Sequence, residues 1–200
     1  MSENLKKPIQ KRALEKKSRL LVVAKKLFDK NGFYNTFIKD ITNEAGVSIG
    51  LFYNYFKDKN DIYREVIETI CEKEIDRHKD FKEKLLLTKD KKKVIRQYIE
   101  SSLEVNSNKK ILEEINIIKN EFPEIEHILE KAHGISQQIF EEILLSLWDN
   151  TKKSKIKVSA NIIRRTASAN ILTVLNIEDE GLKKEYIEEL VNLIYNYLFW

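Results

Sequence analysis

The sequence has few residues that interrupt helices and almost none that form cross-links. Its 200 residues include five glycines, two prolines and a single cysteine, Cys71. One cysteine excludes a disulfide within the chain and the cysteine framework of a small secreted protein. The alternation of β-branched and polar residues that marks strands is also missing. These absences predict an all-α fold.

Long apolar runs are absent as well. No stretch approaches the length of a membrane span, and the first residues lack the apolar core of a signal peptide. Charged residues make up 34% and hydrophobic residues 42% of the chain, which is the balance of a soluble globular protein. We therefore expect no membrane partner and a cytoplasmic location.

Charge is distributed unevenly along the chain. Residues 1–60 contain 13 Lys and Arg against 6 Asp and Glu, a net charge of +7. Residues 61–200 contain 23 against 26, a net charge of −3, so the total of +4 conceals two opposite halves. A basic front half suggests that this half meets a polyanion.

The basic half contains two short predicted helices. Residues 37–45 place Ile38, Ile41 and Ala45 on one side of the first helix. Gly46 then stands where a residue of positive φ would end it.

The second short helix follows that glycine. Ser48 is placed to cap its N-terminus, and Phe52 with Phe56 supplies a buried i, i+4 pair. Two short helices joined through a glycine turn form a helix-turn-helix, whose second helix fits the DNA major groove. A helical hairpin without any role in DNA binding is the alternative.

A string of residues at fixed spacing favours the first interpretation. It comprises Ala24, Leu27-Phe28, Asn31-Gly32-Phe33, Thr36, Asp40, Ile41, Ala45-Gly46-Val47-Ser48, Gly50, Tyr53-x-Tyr55-Phe56, Lys59 and Ile62. This string closely resembles the DNA-binding domain of TetR-family (tetracycline-repressor-like) transcription regulators. The resemblance implies a three-helix N-terminal helix-turn-helix domain at residues 1–60, with a basic leader at 1–9. It also implies a six-helix C-terminal domain for ligand binding and dimerisation at residues 61–200.

By this resemblance, residues on and beside the two short helices face the major groove or its phosphates. The implied DNA-binding set is Thr36, Ile38, Lys39, Ser48, Ile49, Gly50, Leu51, Tyr53, Asn54, Tyr55 and Lys59. Asn54 suits a base edge and Tyr53 a phosphate. Lys59, with the N-terminus of its helix, is expected to bind a backbone phosphate.

Two residues depart from the family pattern. Phe37 stands where Ser or Thr usually caps the first short helix, so we expect Thr36 to cap it. Ile49 replaces a residue that is often lysine or polar, and it offers only the apolar contact that suits a thymine methyl. The sequence therefore does not determine which DNA bases the second short helix recognises.

Apolar periodicity predicts six longer helices beyond this region. Asp58 is expected to cap the first of them, and Pro123 suits the first turn of the fourth. The other predicted landmarks are an end at Asn106-Ser107-Asn108, a loop at 149–157, and the last two helices at 159–176 and 182–199. Nine helices in all match the architecture of the resembling family.

The last two helices carry an apolar seam and several small residues. In the resembling family, these helices pair with their copies as a four-helix bundle. The expected dimer interface is Ala167, Ile187, Leu190, Val191, Ile194, Tyr197 and Leu198. Ordinary core within one chain is the alternative.

A ligand pocket in such a domain should show polar groups on otherwise apolar helix faces. The candidate ligand-binding residues are Tyr98, Ser102, His133, Gln137, Phe140, Thr166, Asn170 and Thr173. They include no unavoidable fixed charge, which favours a neutral or weakly polar, largely hydrophobic effector over a strongly anionic one. The alternative is that they are satisfied polar groups of the core or of an interface.

Two motifs, Glu124-x-x-His127 and Glu130-x-x-His133, have the spacing found in di-iron helices. They lie six residues apart on one predicted helix, about 240° around its axis, so they do not converge. No catalytic triad or glycine-rich phosphate loop appears. We expect no metal, no cofactor and no enzymatic activity.

Together these observations favour a homodimeric, sequence-specific DNA-binding transcription regulator. By resemblance it is a repressor of a pseudo-palindromic operator, released by a small-molecule effector. One alternative is an architectural protein that binds DNA without regard to sequence. The other is an enzyme that retains a helix-turn-helix.

Overall fold

The all-α fold is confirmed by a computed structural model, which describes residues 3–105, 109–149 and 154–199. Within these ranges the chain forms nine helices and no strand. In order, they are α1 (Glu3–Asn31), α2 (Ile38–Ala45), α3 (Ile49–Tyr53), α4 (Lys59–Leu87), α5 (Lys91–Val105), α6 (Lys109–Glu121), α7 (Pro123–Leu147), α8 (Ile156–Leu175) and α9 (Glu180–Phe199). None of the described helices is both long enough and apolar enough to cross a membrane.

The helices divide into two compact units. The first contains the residues up to Thr69 together with Lys110–Ile125, and the second contains Ile70–Lys109 and the residues from Glu126 onward. Almost all of α6 therefore belongs with the N-terminal helices. The predicted boundary at residue 60 divides the proposed DNA-binding region from the proposed ligand-binding region, and it does not coincide with the division into compact units. It stays a prediction.

The first unit has an aromatic core that holds α2 and α3 against α1 and α4. Phe28 on α1 is fully buried, and its ring meets Tyr63 of α4 edge-on at 4.9 Å. Phe33, in the turn after α1, lies 4.8 Å from the same tyrosine. Fully burying one such side chain contributes about 1.5–3 kcal/mol.

α6 packs on the turn that joins α1 to α2. The Phe33 N–H donates to Glu114 Oε2 at 2.8 Å, and the Tyr34 hydroxyl donates to Glu121 Oε1 at 2.7 Å. Gly32 in this turn has a φ of 81°, a left-handed conformation that disfavours other residues. A Cβ there would also displace the Glu114 carboxylate that accepts from the Phe33 N–H, although the positive φ is the stronger reason for glycine.

The second unit is a helical bundle with one continuous core from the C-terminal half of α4 and from α5, α7, α8 and α9. α9 packs against both α5 and α8. It runs antiparallel to α8, because the Tyr197 hydroxyl lies 3.0 Å from Ser159 Oγ and the Tyr186 hydroxyl donates to Asn170 Oδ1.

Two predicted boundaries need correction. α1 begins at Glu3, so the expected leader is helical from that residue on, as its strong helix formers allow. α8 begins at Ile156, three residues before the predicted start. The Asn106-Ser107-Asn108 end and the middle of the predicted loop, at 150–153, lie outside the described residues.

Candidate functional site

The N-terminus of α2 differs from the prediction. Thr36 is fully buried, and its hydroxyl donates to the carbonyl of Gly32 at 2.7 Å. The N-cap position falls on Phe37, whose N–H donates to Asp40 Oδ2 at 3.3 Å. The prediction that Thr36 caps α2 and faces DNA is therefore wrong for its side chain, because the hydroxyl is used inside the protein.

The turn between α2 and α3 matches the prediction. Gly46 has a φ of 64°, and the Val47 N–H donates to the Thr42 carbonyl at 3.0 Å, which closes the end of α2. Ser48 is the N-cap of α3, where its Oγ accepts a hydrogen bond from the Leu51 N–H at 3.2 Å. These bonds fix the direction in which α3 leaves the turn.

α3 has one buried and one exposed side. Phe52 and Phe56 are buried, with ring centroids 5.4 Å apart, as predicted. On the other side, Ile49 and Tyr53 are 47% and 55% exposed, and Asn54 is exposed beside them. The rest of the predicted set on this side comprises exposed Gly50 and half-buried Leu51 and Tyr55. We call this exposed side, Ile49 to Asn54, the α3 surface.

α2 contributes two further predicted residues. Lys39 is exposed, whereas Ile38 is half-buried. Ser48 is exposed as well, although its hydroxyl oxygen already serves as the cap of α3. Lys39 is therefore the predicted residue on α2 best placed to offer a charge to solvent.

The N-terminus of α4 is not an open anion site. Asp58 Oδ1 accepts from the Asp61 N–H at 2.9 Å, which confirms Asp58 as the cap, and Asp61 Oδ2 accepts from the Lys57 N–H at 3.0 Å. The ammonium of Lys59 donates to the backbone carbonyl of Phe33 at 2.8 Å. It also lies 4.3 Å from the centroid of the Phe33 ring. The groups of the predicted phosphate site are thus engaged within the chain in this structure, and phosphate binding by Lys59 stays a prediction.

Burial lowers the pKa of Lys59, in keeping with its internal contacts. Lys59 therefore acts as a positioning residue that ties the start of α4 to the turn after α1. Lys57, exposed two residues earlier, is a cation outside the predicted DNA-binding set. The sequence feature that points to Lys57 is the excess of Lys and Arg over Asp and Glu in this half of the chain.

The second unit contains a small pocket between α5, α8 and α9. The room inside it for a bound molecule is only about 10 Å³, which is about what one water molecule needs. The lining consists of Tyr98, Ile99, Ser102, Leu103, Ala167, Asn170, Ile171, Val174 and Leu190.

Only three of the eight candidate ligand-binding residues line this pocket. Asn170 is one of them, but its polar atoms are engaged, because Oδ1 accepts from the Tyr186 hydroxyl and Nδ2 donates to the Thr166 carbonyl. The other two are Tyr98 and Ser102. The five that lie outside the lining are His133, Gln137, Phe140, Thr166 and Thr173. This pocket is therefore not framed by all eight residues, and the predicted ligand-binding set stays a prediction.

A buried polar cluster lies next to the pocket wall. Arg77 on α4 donates to Ser102 Oγ, and its guanidinium carbon lies 4.5 Å from the centroid of the Tyr98 ring. Arg77 therefore places a buried positive charge beside two of the candidate ligand-binding residues, on a helix that contributes none of the eight. A sequence signal existed: Glu74, Arg77, His78 and Phe81 follow one another at i, i+3, i+4 and i+7, on one side of α4.

His78 belongs to this cluster and is uncharged near neutral pH. Burial, reinforced by the charges of Arg77 and Arg164, lowers its pKa to about 3. Its Nδ1 lies 3.0 Å from Ser136 Oγ, whereas its Nε2 is 3.7 Å from Glu74 Oε1, too far for a hydrogen bond.

The predicted dimer interface requires correction. Six of its seven residues are buried in the core of their own chain, where α9 packs on α5 and α8: Ala167, Ile187, Leu190, Val191, Ile194 and Leu198. Only Tyr197 is exposed, and its hydroxyl meets Ser159.

A different apolar set is exposed on the same two helices. α8 exposes Val158 and Ile162, and α9 exposes Leu182, Leu193 and Tyr197. Because α8 and α9 run antiparallel, the residues near the start of α8 lie beside those near the end of α9. Leu182, at the start of α9, lies at the opposite end of that helix. We call Val158, Ile162, Leu193 and Tyr197 the α8–α9 surface.

The two Glu-x-x-His motifs do not form a cluster. His127 and His133 are exposed on α7. Across the described ranges, no three His, Cys, Asp or Glu side chains lie together as a metal site would require.

Comparison with known proteins shows what the chain is similar to. Residues 20–66 match the model of bacterial regulatory proteins, tetR family. The chain is 48% identical over 48 residues to the HTH-type transcriptional regulator HbdR of Aromatoleum sp. (strain CIB), which is 24% of this chain and 21% of that protein. It is 26% identical over 190 residues to the HTH-type transcriptional regulator YerO of Bacillus subtilis (strain 168), which is 90% of this chain and 65% of that protein.

The fold agrees with these matches. A transcriptional regulator from Aquifex aeolicus VF5 superposes with a TM-score of 0.67 at 26% identity, over 90% of this chain and 99% of that one. The chain spans less than two thirds of the length of the two curated relatives. With its helix-turn-helix and its nine described helices, the chain is therefore similar to regulators of the tetR family, and residues 20–66 match that family's DNA-binding model.

Proposed function

We propose that this chain is a homodimeric, sequence-specific DNA-binding regulator, and specifically a repressor that a small, largely hydrophobic effector releases from its operator. The α3 surface is the observation that carries the proposal. Its exposed side chains stand on a helix whose opposite side is anchored in an aromatic core, so their positions are set before DNA arrives. Because bacterial DNA lies in the cytoplasm, we expect the protein there.

The chemistry of the α3 surface suits base and backbone contacts together. Asn54 carries an amide that pairs with an adenine edge, and Ile49 offers apolar contact to a thymine methyl. The hydroxyl of Tyr53 donates to a phosphate, and exposed Lys39 and Lys57 add charge nearby. A surface with both kinds of group favours reading of sequence over attraction to the backbone alone.

The α8–α9 surface supports a dimer. Leu193 is 57% exposed although its neighbours on α9 fill the core, and Ile162 on α8 is 47% exposed. A second copy of the chain would bury this surface in a two-fold contact. Two subunits then present two α3 surfaces, which implies an operator with two-fold symmetry.

Release by an effector requires that the effector bind one conformation better than the other. A ligand with equal affinity for both would shift nothing. The pocket beside Tyr98 and Ser102 is the candidate effector site, and because it is small, a bound ligand must widen it. The bound and free states would therefore differ in structure.

Selection of bound fragments from a pool of random duplex DNA tests the DNA-binding proposal. We expect recovery of an inverted repeat, since each subunit reads one half-site. A recovered pool with the base composition of the starting pool would contradict sequence-specific binding and favour an architectural protein. Screening metabolites for release of the selected duplex then tests the effector.

A further inference from the structure

The polar cluster beside the pocket contains hydrogen-bond donors that the protein does not use. Arg77 Nε, His78 Nε2 and Arg164 Nε are all buried and have no hydrogen-bond partner among the described residues. The side chains of Arg77 and His78 are only 8% and 2% exposed. Burying a donor without a partner costs free energy, so a bound group that accepts these hydrogen bonds would recover that cost.

The same cluster has an excess of positive charge. Glu74 is the acidic side chain of this cluster, with Oε1 3.3 Å from the Arg77 guanidinium. Arg164 interacts electrostatically with Glu74 and Tyr98, and both arginines disfavour the charged form of His78. With His78 neutral, two guanidinium groups face one carboxylate, which leaves a charge of +1.

The pocket adjoins this cluster directly. Tyr98 and Ser102 line the pocket, and the same two residues contact Arg77. The rest of the lining is apolar apart from Asn170: Ile99, Leu103, Ala167, Ile171, Val174 and Leu190. One end of the site is therefore cationic and the other is hydrophobic.

We propose that this site binds a hydrophobic carboxylate. The carboxylate accepts hydrogen bonds from Arg77 and Arg164, which guanidinium groups make in well-defined geometry. With Ser136 donating to Nδ1, the Nε2–H of His78 supplies a third donor. A monoanion balances the charge of +1, and its apolar body enters the pocket. This inference rests on the proposed function, because it names the chemical class of the proposed effector.

Titration calorimetry of the full chain with two acids and their amides tests the class. The probes are decanoate against decanamide and 1-naphthoate against 1-naphthamide, which match in shape and differ in charge. We expect at least one acid to bind at least about tenfold more tightly than its amide, since the amide lacks the charge that the arginines require.

Two neighbouring arginines provide matched variants. Arg164→Gln should weaken binding of the preferred acid about tenfold or more, and should reduce the preference for acid over amide. Arg165→Gln removes the same charge from an exposed position next to it, and should change the affinity little. Both variants should keep the far-ultraviolet circular dichroism of the parent chain.

Three results would overturn the inference: no binding by either acid, equal binding by acid and amide, or equal losses from Arg164→Gln and Arg165→Gln. Calorimetry needs no DNA, so these results are separate from the proposed function. If the acid binds and the operator is not released, the site stands and the regulatory role fails. If another class of molecule releases the operator while no acid binds, the role stands and this inference fails.

Discussion

At the scale of single residues, α3 contains buried residues that hold it in place and exposed residues that are available to bind DNA. Phe52 is fully buried and holds α3 in place, whereas the adjacent Tyr53 points to solvent. Asn54 ends the helix, where its backbone N–H donates to the Leu51 carbonyl at 3.2 Å, and its side chain stays exposed. The side-chain amide of Asn54 therefore does not stabilise the helix, and substitutions of Asn54 should change DNA binding rather than the fold.

Asn54→Ala should relax base preference at one position of each half-site and cost about 1–3 kcal/mol of binding to the best sequence. Selection from random duplexes, repeated with the variant, measures the change. Lys57→Ala is the matched control, because an exposed lysine that contacts phosphate should weaken all sequences alike and reduce the salt slope by about one. An unchanged selected sequence from Asn54→Ala would mean that another residue reads this position.

The role of a residue could be predicted from the sequence only where residues next to it in the chain decide that role. Gly46 ends α2 and Ser48 caps α3 as expected, because a left-handed φ and a helix cap depend on the local sequence. Thr36 and Lys59 do not, because their bonds to Gly32 and Phe33 depend on how α1, α2 and α4 meet. A family pattern shows that such residues are needed and does not show whether they touch DNA.

At the scale of helices, α8 and α9 each carry apolar residues on more than one side. Leu190 is buried against the chain's own core, whereas Leu193, three residues later, is 57% exposed. Periodicity predicts that α8 and α9 are apolar helices. It does not show which of their apolar sides is buried in the core of the same chain. Packing of α9 on α5 decides that question, and α5 lies about 90 residues away in sequence.

The double variant Ile162→Asp with Leu193→Asp should give a folded monomer that no longer binds the operator. Both side chains are exposed in the single chain, so the charges meet water unless a second copy covers them. Sedimentation velocity measures the mass, and circular dichroism measures the helix content. Leu190→Asp serves as the contrast, since a charge at this buried position should unfold the chain. A folded dimer from the double variant would place the interface on another surface.

α6 shows the same limit for a whole helix. Its existence follows from apolar periodicity, but its packing with the N-terminal helices does not. That packing depends on Glu114 and Glu121, whose hydrogen bonds reach Phe33 and Tyr34 more than 80 residues earlier. Solvated glutamates on a helix surface look identical in the sequence, so nothing marked these two in advance.

At the scale of the whole molecule, the sequence predicted the all-α class and the helix-turn-helix, because both follow from local pattern. The lining of the pocket was predicted only in part, because its residues come from α5, α8 and α9 and meet only in the folded chain. Residues 1–60 carry a net charge of +7 against −3 for the remainder, so DNA should be drawn to the part that contains the α3 surface. That binding should weaken steeply with salt, as bound phosphates release their counterions.

Hydroxyl-radical footprinting of the selected duplex tests the central claim, that two copies of the chain present two α3 surfaces to one operator. The account predicts two protected segments related by two-fold symmetry, with centres about 10 base pairs apart or a small multiple of that spacing. Protection should fade with rising salt at both segments together. A single protected segment, or uniform protection along the duplex, would contradict the account.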